Sequence, residues 1–151
     1  MLNEVEKNII SALRTNARTS LSAIASKHAI ALSTLSYTMQ KLEQKKLLSH
    51  KSHVDFEKLG YALRTFMTLK TDKGCKAMLQ EFITNTPNIN TAHIINSGYD
   101  FHIEAVFRNK KEIQKFMESM EQQFPIIEKH EYHVVDTIRK EHFLSDVEHF
   151  S

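Results

Sequence analysis

"IASKHAIALSTLSYTMQKLE", residues 24–43, decides the fold. Its second half sets Leu32, Leu35, Met39 and Leu42 at spacings of three, four and three, the stripe of a helix with one buried side. Its first half continues a shorter apolar pattern through Leu21, Ile24 and Ala25, with Ser20 placed to cap it. "KHAIA" leaves only a tight turn between them, so the two predicted helices fold back on each other. The second of them turns Ser33, Thr34, Ser36, Tyr37, Thr38, Gln40, Lys41, Gln44 and Lys45 outward. Upstream, Val5, Ile9 and Leu13 recur every four residues, Ile10 and Ala12 widen the stripe, and "TNARTS" (15–20) breaks it. Three short helices with tight links make a helix-turn-helix unit that presents its last helix to the outside.

Downstream the periodicity changes. Residues 51–59 lose the helical spacing and read as a linker with a short strand, and Gly60 marks a boundary. "YALRTFMTLK" (61–70) is rich in strand formers, and "KAMLQEFITN" (76–85) is helical until Asn85–Pro87 end it. "INTAHIIN" (89–96) and "DFHIEAVF" (100–107) are strands around Ser97-Gly98-Tyr99, a hairpin signal. "KKEIQKFMESMEQQF" (110–124) is an amphipathic helix with Ile113, Phe116, Met117 and Met120 inward, and "IEKHEYHVVDTI" (127–138) is a last strand. The order strand, helix, strand, strand, helix, strand predicts a ferredoxin-like βαββαβ sheet with both helices on one face. Such a sheet leaves its other face bare, so at least a dimer is expected. The predicted fold class is α+β, with a winged helix-turn-helix unit over 1–50, a linker strand over 51–60, the ferredoxin-like domain over 61–140 and a C-terminal tail over 141–151.

The chain has 151 residues, 41% hydrophobic and 25% charged, the balance of a soluble globular protein. It has no apolar run of bilayer length, and the lone Cys75 forms no internal disulfide, so the cytoplasm is the expected home. Charge is uneven along it. Residues 1–53 hold eight Lys/Arg against three Asp/Glu, while residues 54–151 hold twelve against fifteen. A basic first third followed by an acidic remainder points to a segment that meets a polyanion.

With these parts in order, the sequence resembles the Lrp/AsnC family of transcription regulators over nearly its whole length. "LNEVEKNIISALRTNAR" (2–18) is similar to the family's first helix and its Asn-x-Arg turn, and "LSAIA" (21–25) to its second helix. "STLSYTMQKLE" (33–43) is similar to its recognition helix, and "SGYDFHIEAVF" (97–107) to a hairpin that borders a small-molecule pocket between subunits. The resemblance implies a regulator that binds double-stranded DNA as a homodimer or higher oligomer, octamers being common in the family. It also implies an amino acid or similar metabolite as effector, with no catalytic residues, metal or cofactor.

Ser33, Thr34, Ser36, Tyr37, Thr38 and Gln40 are then the residues expected at base edges. Lys41 and Lys45, with Lys46, Lys27, Arg14 and Arg18 nearby in sequence, are expected at phosphates. Gly98, Tyr99, Asp100 and Tyr132 are expected at the effector site, with Asp100 or nearby amides holding an amino or carboxylate group. The chain departs from the family pattern in several places. Ala29 replaces a glycine in the helix-helix turn, Ala31 a capping serine, Thr38 a frequent arginine, Lys46 a further glycine, and Tyr132 a small threonine. Ser33 is the expected cap in place of Ala31, and the loss at position 38 removes a guanine reader. Two other readings stay open: an assembly partner of related regulators that binds DNA weakly, and an enzyme like the sirohaem decarboxylases. The second has nine histidines in its favour and the lack of any tryptophan against it. His130 and His133 point to opposite faces of their strand, so no metal set is expected.

Overall fold

The first helix begins on a reciprocal cap. The Asn3 side chain accepts from the Glu6 amide at 2.9 Å, and the Glu6 carboxylate accepts from the Asn3 amide at 2.8 Å. The computed structural model describes residues 2–96 and 98–150, so Ser97 of the expected hairpin turn lies outside the described residues. From that cap runs α1 (Glu4–Thr15). α2 (Leu21–His28) starts at Ser20, whose hydroxyl accepts from the Ala23 amide at 3.1 Å. α3 (Leu32–Gln44) completes the triad, and Ile9, Ile10, Leu13, Ile24, Leu35 and Leu42 form one buried core among the three.

The chain divides into two compact units, each with its own core. The first holds the residues up to His53 together with those from Ile138 onward. The expected tail is thus folded onto α1. The Ser11 and Thr15 hydroxyls both donate to the Ser145 carbonyl, at 2.9 and 3.1 Å. Arg14 donates to the Phe143 carbonyl at 2.9 Å and pairs with Glu141 at 2.6 Å. Leu144 and Phe150 rest against the helical core, and the segment ends in a 3-10 turn, Val147–Phe150.

The second unit spans Val54–Thr137. Its strands β1 (Leu63–Thr71), β2 (Ile89–Ile94), β3 (Phe101–Phe107) and β4 (Ile126–His133) lie in the order β2-β3-β1-β4, all neighbours antiparallel. α4 (Lys76–Asn85) and α5 (Lys110–Gln123) supply the helical layer. Strand alternation sends Met67, Leu69, Phe101, Ile103, Ala105 and Phe107 to one side, where Leu79, Ile83, Ile113, Met117 and Met120 cover them. This is the expected ferredoxin-like arrangement.

Several boundaries differ from expectation, two of them by a whole element or by half of one. No strand forms over 51–60; instead a turn covers 56–60, with Asp55 accepting from the Lys58 amide at 3.2 Å and pairing with its ammonium. Asp at the head of a short polar stretch caps a turn more readily than it extends an edge. The last strand stops at His133 rather than Ile138. Beyond it Val134 still donates to the Arg64 carbonyl, but Val135 and Ile138 are almost fully exposed. No helix among the described residues is long and apolar enough to cross a membrane.

Candidate nucleic-acid interface

The buried stripe of α3 runs through Leu35, Thr38 and Leu42, with Met39 half-buried beside it. Continued backwards by one turn, that stripe reaches Ala31 and not Leu32. Leu32 is therefore outside the core and half exposed, contrary to the sequence reading. Thr38 is the converse correction. It is only 7% exposed, and its hydroxyl donates to the Thr34 carbonyl at 2.8 Å, so it packs as an apolar residue with its polar atom satisfied by its own helix. It is not on the reading face. Thr38 itself is therefore too buried to reach a base edge.

The remaining expected contacts do share one outer surface. Ser33, Thr34, Tyr37, Gln40 and Lys45 are exposed, and Ser36 and Lys41 are half-buried. The helix starts at Leu32 on Ala31, which offers no side-chain cap, so Ser33 is not the cap but lies within the first turn. The first amides of α3 are left without a side-chain acceptor, the arrangement that favours an anion.

The two links that fix α3 both pass through left-handed backbone. Ala29 has φ 52° and ψ 42°, and the Ile30 amide closes back on the Ala25 carbonyl at 3.1 Å. Lys46 has φ 56°, and the Leu47 amide closes on Leu42 at 3.0 Å. These are Schellman-type helix ends that glycine usually occupies. In the helical unit, Lys27, Arg18, Lys41, Lys45 and Lys46 have no ion-pair partner among the described residues. Arg14, expected at phosphate, is held instead by Glu141, whose carboxyl it keeps below the usual range.

A winged helix-turn-helix DNA-binding family matches residues 2–48, the span that holds all three helices. An uncharacterised HTH-type transcriptional regulator of Pyrococcus abyssi is 26% identical over 144 residues, covering 95% of this chain and 97% of that protein. The fold is shared with E. coli AsnC, at a TM-score of 0.82 and 17% identity over 93% of this chain and 96% of that one. It is shared too with a Neisseria meningitidis transcriptional regulator solved with L-Met, at 0.84 and 14% over 93% and 94%. The chain is a DNA-binding transcriptional regulator with the Lrp/AsnC fold.

In this regulator the four residues expected at an effector site are held by different local partners. Gly98, at φ 90°, supports the turn before β3. Asp100 is engaged within its own unit: one carboxylate oxygen accepts from the Thr71 amide at 3.0 Å, and the other pairs with Lys76 at 2.9 Å. The Thr71 amide, then the Lys76 ammonium, hold the carboxyl below its ordinary range against a small desolvation penalty. Tyr99 and Tyr132 meet through His130, with ring centroids 5.4 and 6.3 Å from it. The Tyr99 hydroxyl donates to Glu128, which pushes the phenol up to about 12. The sequence reading did not single out Glu128, and weighed His130 only as a metal ligand; their alternation with Tyr132 along β4 is the signal that joins them.

Tyr99, His130 and Tyr132 belong to the regulator's open sheet face. Phe66 stacks on His102 at 5.5 Å, His102 on His93 at 6.2 Å, and Arg64 lies over Phe66 at 5.3 Å. Glu104 is buried there and accepts from Arg64, from Asn90 at 2.9 Å and from Thr91 at 3.0 Å. Burial pushes its carboxyl up, and those three hydrogen bonds outweigh it, so it stays ionised below the usual range.

Proposed function

We propose that this regulator reads specific duplex sites as a homodimer joined through the open sheet face, and that an amino acid or similar small metabolite tunes its assembly. The observation that carries the DNA-reading part is the outer row of α3, whose side chains take no part in the core while its opposite stripe holds the helix rigidly. The unpaired lysines beside it anchor phosphates and set register without reading sequence.

The open face supports the dimer. It combines aromatic and imidazole rings with a carboxylate already paired within its own chain, so a second copy can cover it without stranding that charge. The Neisseria regulator of the same fold, solved with L-Met, supports an amino acid as the kind of effector. Tyr99, His130 and Tyr132 supply stacking and hydrogen-bonding groups beside the interface, and the engaged Asp100 shapes the turn rather than holding ligand. Effector binding acts on DNA affinity only if it favours one assembly over another.

The decisive experiment is a gel-shift titration on the DNA upstream of the regulator's own gene, across salt concentrations, with and without pooled amino acids. The expected result is a specific complex that weakens steeply as salt rises. Absence of a specific complex at low salt sinks the reading. Sedimentation of the same sample tests the dimer, and a chain that stays monomeric at tens of micromolar sinks that part.

A further inference from the structure

We infer that the outward row of α3 reads thymine through its C5-methyl group, with Leu32 and Tyr37 as the side chains that meet it. The inference rests on α3 being the helix that enters the major groove. Leu32 is 50% exposed and Tyr37 68%, and neither belongs to the helical core. At 100° per residue the two stand about 140° apart around the helix, with Ser36, Gln40 and Ser33 between them. They therefore flank one strip of the outward surface, with Lys41 and Thr34 beyond Tyr37.

Single exposed apolar side chains are ordinary on protein surfaces. The chemistry of the rest of this strip is what gives these two a partner. From Ala29 to Gln40 the sequence holds no charged residue. The strip accordingly lacks the guanidinium or ammonium that reads guanine O6 and N7, and the carboxylate that accepts from cytosine N4. Thymine alone among the four bases presents an apolar group to the major groove. Gln40, exposed between Leu32 and Tyr37, can read adenine, the partner of thymine in the same base pair. The hydroxyls of Ser33 and Ser36 serve either strand, while Leu32 and Tyr37 can bury apolar surface against a methyl.

The test uses the full-length protein and a duplex enriched by it from a random library, resynthesised with deoxyuridine in place of every thymidine. That change deletes the methyl and keeps base pairing. The expected loss in affinity is about four-fold for each methyl contacted. Leu32→Ser and Tyr37→Ser each bind the thymine duplex more weakly, and each reduces the ratio between thymine and deoxyuridine duplexes. Both side chains are exposed, so thermal unfolding of the variants should match the parent. Equal affinity for the two duplexes, or a ratio unchanged in both variants, overturns the inference while α3 remains the reader. If no duplex is enriched, the base-reading role of α3 falls, and this inference with it.

Discussion

Ala29 and Lys46 occupy backbone that L-residues avoid, and both lie at the links that aim α3. A non-glycine residue in left-handed geometry costs roughly 1–2 kcal/mol, partly offset because glycine loses more freedom on folding. Ala29→Gly should therefore stabilise the regulator by about 1 kcal/mol, seen as a higher urea midpoint with unchanged slope. Lys46→Gly should do the same while removing a cation, so its stability should rise as its DNA affinity falls; a variant that gained both would contradict the phosphate role. The resemblance already implies that glycine is usual at these positions. Their dihedral angles were not legible, because alanine and lysine carry no signal of left-handed geometry. Thr38 was misread for a related reason: a hydroxyl satisfied by the preceding turn makes threonine an apolar residue that its letter does not announce.

At the scale of elements, Asp100 ties three of them together. Its amide donates to the Leu69 carbonyl of β1, its carboxylate takes the Thr71 amide, and Lys76 opens α4. With the folded carboxyl held below its unfolded value, this contribution is complete above the unfolded range, near pH 3.9, and is lost as pH falls through the folded value. Asp100→Asn should cost about 2 kcal/mol at neutral pH and show a shallower loss of stability below pH 4, measured by urea unfolding at pH 7 and pH 3. The elements themselves were largely legible. α4 spans the expected residues because Leu79, Phe82 and Ile83 hold helical spacing up to Pro87, and β3 follows the expected stretch with Phe101, Ile103, Ala105 and Phe107 on its core side. Misreadings came where a pattern had no neighbour to enforce it: the supposed linker strand has no ladder, and β4 ends where pairing with β1 runs out. The phase of α3 slipped because Leu32 is apolar yet lies off the buried stripe of Leu35, Thr38 and Leu42.

For the molecule as a whole, the proposed dimer places the demand on the sheet face. Phe66 stacks on His102 in the middle of that face. Phe66→Glu should leave the fold intact by circular dichroism yet sediment as a monomer where the parent is a dimer, and its DNA binding should weaken because two half-sites are no longer joined. A dimeric Phe66→Glu protein would move the interface elsewhere. What covers α1 has a different kind of consequence. The helix-turn-helix unit is discontinuous: its helices come first in the chain, while the segment from Ile138, which takes the Ser11, Arg14 and Thr15 side chains, comes after the entire sheet unit. During synthesis the three helices leave the ribosome early but wait for that segment before their outer surface is finished. Residues translated after the sheet unit thus complete the surface of helices translated before it, and a truncation that removes them perturbs the unit of the regulator that touches DNA.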